Sequence, residues 1–242
     1  MNSSNRYEFL DILRGITLIS MILYHSIWNI ANIFSNTSAW FSSDIFYIWQ
    51  QSICQCFILL SGFCYCLGKK HIKRGVTVFL CGMIVTAVTL IFMPENAIIF
   101  GILTFLGSAM LISAVLERFL KKINPLFGII FFIFLFIATK SINSGYILFF
   151  KLPKFLYRGY IATFLGFCDP TFRSADYFSV FPWIFLYFSG FSLFGFMKKK
   201  NKLDMLKTRK IPLLSFMGRH SLEIYMLHQP IIFLILYLIL GR

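Results

Sequence analysis

The chain has 242 residues, of which 58% are hydrophobic, 19% aromatic and only 13% charged, and it carries a formal net charge of +14. A water-soluble domain runs about 45–50% apolar and about 25% charged, so a single solvent-exposed globule is excluded, as are a disordered chain, a collagen-like chain and a disulfide-stapled secreted module. What remains is a polytopic membrane protein.

Apolar runs near the ~20 residues that a bilayer crossing needs lie at 9–32, 45–67, 75–93, 97–116, 125–140, 177–197 and 211–240. The first carries Asp11 and Arg14 and lacks a small-residue cleavage site, so it is expected to persist as a helix. The last is long and is expected to open with an interfacial turn around Pro212 to Gly218. Segment 141–176 is too broken to span. Pro153, Gly159 and Pro170 punctuate it, and Lys151, Lys154 and Arg158 interrupt its apolar stretches. It reads as an external re-entrant or interfacial element, whose backbone must be covered by protein or line a wet cavity. The expected fold is therefore all-α: a polytopic membrane helical bundle of about seven transmembrane helices plus that segment, a single domain over 1–242.

In a soluble protein the basic excess would raise nucleic acid as a partner. Here most of the 23 basic residues sit in short segments between apolar runs, so a lipid bilayer is the expected partner and nucleic acid is not. With the N-terminus inside, Arg6, Arg14, Lys69, Lys70, Lys73, Arg74, Arg118, Lys121, Lys122, the 198–210 cluster and Arg219 fall on the cytoplasmic side. Lys140, Lys151, Lys154, Arg158, Arg173 and Arg242 fall outside. The split predicts N-inside and C-outside.

Cys54, Cys56, Cys64, Cys66 and Cys81 lie within apolar runs. Residues i and i+2 point about 200° apart on a helix, so the C-x-C pairs suit small apolar packing better than a metal site, and no metal is expected. Asn36-Thr37-Ser38 matches the glycosylation sequon, a short pattern that also needs a eukaryotic secretory route.

A charged side chain in hydrocarbon costs about 2.5–3.5 kcal/mol on insertion scales, so each such residue must be paired, hydrated or functional. The first helix is the densest case. Asn5 and Glu8 fit a capping box. Asp11 and Arg14, three apart, can pair on one face, and the stripe continues to His25 and Asn29. Arg14 and His25 are eleven residues apart, about three turns or 16 Å, which reads as the wall of a polar path. The alternatives are that Arg14 snorkels to the interface and that His25 makes a neutral interhelical hydrogen bond. As a functional group His25 is a candidate general base.

The last run is the second case. Ser221, Tyr225 and His228 share one helical face, while Arg219 and Glu223, four apart, are placed to neutralise each other. The third case is Asp176 before the sixth run, either a helix cap or a group that positions a substrate amine or hydroxyl. Asp44 opens the second helix, where capping is the simpler role.

Arg6-x-Glu8-x-x-Asp11-x-x-Arg14-Gly15 leading to Tyr24-His25, Phe57-x-x-x-Ser61-Gly62, Phe100-Gly101-Ile102-Leu103, Asp176-Tyr177-Phe178 leading to Pro182-Trp183, and Gly218-x-His220-Ser221-Leu222-x-Ile224-Tyr225-x-x-His228-Gln229-Pro230 occur in order along nearly the whole chain. Together they resemble the bacterial branch of the heparan-α-glucosaminide N-acetyltransferase catalytic-domain family. The resemblance implies a bacterial inner-membrane acyltransferase. It would take acetyl-CoA from the cytosol and pass the acetyl group to an amine or hydroxyl acceptor, such as a sugar, at the outer side. It further implies that Arg14, Arg74 and Arg219, with His220 and Ser221, hold the CoA thioester. The catalytic set would be His25, His228 and Asp176, with Asp11, Asn29, Asp44, Glu223 and Tyr225 as supporting polar groups. Two departures mark this chain: Thr104 stands where many relatives have His, and the loop after the first run has no His. A transporter of a small polar metabolite and a non-catalytic membrane subunit stay open as alternatives, as does a homodimer.

Overall fold

The computed structural model describes residues 6–34 and 44–240. The sequon at Asn36 and the capping residue Asn5 lie outside the described residues. The long elements are α1 (Glu8–Asn29), α2 (Asp44–Tyr65), α3 (His71–Phe92), α4 (Ile102–Leu120), α5 (Pro125–Thr139), α7 (Val180–Lys199) and α9 (Ser221–Leu240). Two short helices, α6 (Gly159–Leu165) and α8 (Pro212–Arg219), a hairpin of β1 (Tyr146–Ile147) and β2 (Phe150–Lys151), and short 3-10 and π turns lie between them. The fold is all-α and polytopic, as the hydropathy pattern requires.

Among the described residues six helices are long and apolar enough to cross a membrane: Glu8–Asn32, His71–Phe92, Ile102–Leu120, Pro125–Ser144, Val180–Lys199 and Ser221–Leu240. The sequence suggests a seventh at 45–67. A helix forms there, but Gln50, Gln51, Ser52 and Gln55 leave α2 less apolar than the others. The 141–176 segment contains no spanning helix; its longest helix, α6, has seven residues.

The chain divides into two compact units, residues 1–57 with 201–242, and residues 58–200. In the first, α1 is buried along Leu18, Met21 and Tyr24, packed with Ile53, Trp49, Ile224 and Tyr225. The α1–α8 contact is a backbone-to-backbone approach. A Cβ on Gly15 would collide with the Leu214 carbonyl, and one on Gly218 with the Asp11 carbonyl. Because residue 214 lies beside 15 and 218 beside 11, α8 runs antiparallel to α1. The chain then breaks at His220 (φ −103°, ψ 29°), and α9 turns back to run in the direction of α1. The expected turn at Pro212–Gly218 is thus a helix of its own.

In the second unit α3 packs along α4 and α5 along α7. The second half of α2 meets α7 where Gly62 faces the Tyr187 carbonyl and Gly190 faces the Leu59 carbonyl, again with no room for a side chain. Such small-residue crossings suit a bilayer, where close van der Waals packing replaces hydrophobic driving force between helices. Asp169 ties the 159–171 stretch together. It accepts from the Gly159 and Thr171 backbone N–H groups at 2.8 and 2.9 Å, and these bonds hold its carboxyl down at about 2.

Candidate active site

His25 and His228, 203 positions apart in sequence, come together in the first unit. Their ring centroids are 5.0 Å apart, with the planes tilted by 53°. The periodicity that placed His25 one turn before Asn29, and His228 on the face of Tyr225, is what aims them at each other. Tyr24 meets His25 edge-on at 5.6 Å, and Tyr225 lies 5.2 Å from His228, so aromatic rings wall the pair.

The hydrogen bonds give the two imidazoles opposite polarity. Nδ1 of His228 is 2.5 Å from the Tyr225 carbonyl, which can only accept, so Nδ1 carries the proton and Nε2 holds a lone pair. That Nε2 is buried and has no hydrogen-bond partner among the described residues. At His25 the reverse holds. The Gln229 amide nitrogen, which can only donate, lies 2.9 Å from Nδ1, so Nδ1 accepts and the proton of the neutral ring sits on Nε2. Gln229 is oriented in turn by Asn29, whose amide donates to Oε1 at 3.1 Å. Asn29 is 2% exposed, while Gln229 and His25 are half-buried. One ring therefore offers an N–H and the other an unshared lone pair.

The remaining expected residues divide between the units. Asp11 pairs with Arg14 as the spacing predicts, at 3.3 Å, but its shorter partner is Arg6 at 2.6 Å. Arg219 does not pair with Glu223: the break at His220 separates them, and the Arg219 Nε donates instead to the Ser215 carbonyl at 2.9 Å. Glu223 is exposed, the His220 ring lies 4.6 Å from Phe216 and tilted to it by 41°, and Ser221 opens α9. Glu8 begins α1 but makes no cap; Tyr7 precedes it without a side-chain cap bond. Asp44 occupies the first helical position of α2, where a carboxylate meets the positive end of the helix dipole.

Asp176 and Arg74 belong to the second unit. Asp176 is a cap, though not of its own helix: its Oδ2 accepts from the Ile102 N–H, the first amide of α4, at 3.4 Å. Burial pushes its carboxyl up to about 6, against the pull of that N–H. Arg74 is exposed, and its guanidinium arches over Gly68.

Sequence reasoning gave no role to Gln229, although an amide beside a histidine in an apolar helix was signal enough to suspect a hydrogen-bond partner. It also missed a polar group in the second unit. There Tyr65 stacks on His71 at 4.0 Å and donates to Glu117 at 3.4 Å, and Glu117 pairs with Lys121 at 2.5 Å. None of the six cysteines forms a disulfide. Among the described residues no group of three or more His, Cys, Asp or Glu could hold a metal ion.

Comparison with curated proteins and with solved structures finds no match. The family described as heparan-alpha-glucosaminide N-acetyltransferase, catalytic, matches residues 6–230, a stretch that begins at the Arg6 partner of Asp11 and closes just after the His228–Gln229 pair. With most of its length matched, the chain belongs to the heparan-alpha-glucosaminide N-acetyltransferase catalytic family, whose domain implies a membrane-embedded acetyltransferase.

Proposed function

We propose that the protein moves an acetyl group from acetyl-CoA to an amine or hydroxyl acceptor, with His228 as the general base. The observation that carries this reading is the buried, unpartnered Nε2 of His228 beside an imidazole of opposite polarity. The acceptor nitrogen or oxygen attacks the thioester carbonyl and gives its proton to His228 Nε2. The new C–N or C–O bond forms, the C–S bond breaks, and the His228 imidazolium returns the proton to the departing sulfur. His25 directs Nε2–H at the carbonyl oxygen as charge develops there. It donates a hydrogen bond and keeps its proton, because losing it would leave an imidazolate.

The donor is proposed to bind from the cytoplasmic side, with the basic residues Arg14 and Arg219 drawing the CoA phosphates by charge-assisted bonds. His220 and Ser221 stand next to Arg219 for the same task. The concentration of basic residues in the segments assigned inside supports this sidedness, as does the parallel course of α1 and α9. The membrane is proposed to be a bacterial inner membrane.

The test is acetyl transfer from labelled acetyl-CoA to a panel of amino and hydroxy sugars, with purified protein in nanodiscs. Transfer with matching release of CoA thiol, lost in His228→Gln, is the expected result. Activity that survives in His228→Gln overturns the assignment of the base. Transmembrane flux of those sugars without any acyl donor would instead point to a transporter.

A further inference from the structure

The β1–β2 hairpin has the wrong composition for a loop in water. Short hairpins in solvent turn on Asn, Asp or Gly. This one turns on Leu148-Phe149, inside the run Ile147-Leu148-Phe149-Phe150. Phe149 is 93% exposed and Phe150 75%. Leu148 has φ +50°, a left-handed conformation that a branched side chain seldom adopts. It is held there by the Leu148 N–H, which donates to the Ala138 carbonyl at 2.9 Å. Ala138 lies in the last turn of α5, inside the candidate span Pro125–Ser144. The tip is thus folded back beside a membrane-crossing helix whose own Phe134 and Ile137 are exposed at the same end.

The hairpin is also two-faced. Opposed residues of an antiparallel pair point the same way, so Tyr146 shares one face with Lys151, and Ile147 shares the other with Phe150. Lys140, Lys151 and Lys154 are all exposed around it. An apolar tip, one tyrosine–lysine face and a ring of lysines match the layers of a bilayer surface, with acyl chains below and headgroup phosphates above.

We propose that the 146–151 hairpin is an interfacial anchor that inserts Leu148, Phe149 and Phe150 among the upper acyl chains and sets Lys151 and Lys154 on anionic headgroup phosphates. It clamps the outer segment to the bilayer surface at the end of α5. The inference does not depend on the acyl-transfer chemistry.

Full-length Phe149→Trp, in vesicles of phosphatidylcholine with or without phosphatidylglycerol, reads the depth of the tip as a difference spectrum against the parent. Phe150→Trp serves if the first variant does not fold. The expected result is blue-shifted added emission, quenched by lipids brominated high on the acyl chain and not by acrylamide. Phosphatidylglycerol should strengthen that quenching, and Lys151→Glu/Lys154→Glu should abolish the gain. Red emission quenched by acrylamide would put the tip in water and overturn the proposal. Emission shielded from both quenchers would put it under another copy of the chain, which overturns it equally.

Discussion

The Gln229 amide nitrogen stands 2.9 Å from Nδ1 of His25, and this contact decides which nitrogen of His25 carries the proton. Gln229→Glu should invert it, because a carboxylate accepts and so selects the Nδ1–H form. In nitrogen-15 spectra of labelled histidine, the protonated His25 nitrogen should move from Nε2 to Nδ1. Turnover should fall about tenfold to a hundredfold with little change in KM for acetyl-CoA. An unmoved tautomer removes the positioning role of Gln229, whatever the fate of activity.

His25 and His228 should differ in how far they tolerate glutamine. The amide of His25→Gln can still donate to a carbonyl oxygen, so part of the rate should survive. His228→Gln has no lone pair of comparable basicity and should lose about a hundredfold to ten-thousandfold in kcat. Steady-state rates on the two variants check the order, and the reverse order would exchange the two roles.

Gly218→Ala places a methyl group against the Asp11 carbonyl, so α1 and α8 must part. Overpacking of this kind costs about 1–3 kcal/mol, seen as a lower thermal midpoint in detergent. Leu213→Ala, an exposed position on the same helix, should stay within about 0.5 kcal/mol of the parent.

Asp176 makes stability depend on pH. Its carboxyl ionises at about 6 in the folded chain, against about 4 when unfolded. Between these values the native state holds the extra proton, so stability falls as pH rises from 4 to 6 and the cost of the charge is complete above 6. Asp176→Asn removes that cost and keeps an oxygen for the Ile102 N–H. Thermal unfolding should show a gain of up to about 3 kcal/mol above pH 6 and none at pH 4.

The helices were legible because apolar length is a strong signal. So were the polar stripes that carry His25 and His228, although that the two rings meet was not, because the pairing of α1 with α9 is set by tertiary packing. The Asp11–Arg14 pair followed from spacing alone. What spacing could not supply was the break at His220. Periodicity carried across it united Arg219 and Glu223 on a face that does not exist. Nor could it reveal that Asp176 caps α4, a helix 74 positions away, because such a cap is set by tertiary approach.

The contact of Gly218 with Asp11 fixes more than one helix pair. Gly15 meets the Leu214 carbonyl and Gly218 the Asp11 carbonyl, so α8 is seated on α1 at two points just before the chain turns into α9, the helix that carries His228. A slip of one residue there would bring Met217 or Arg219 against a carbonyl that admits no side chain. The seat of α9 is thus set by main chain against main chain, and lipid-facing side chains are free to drift without disturbing it.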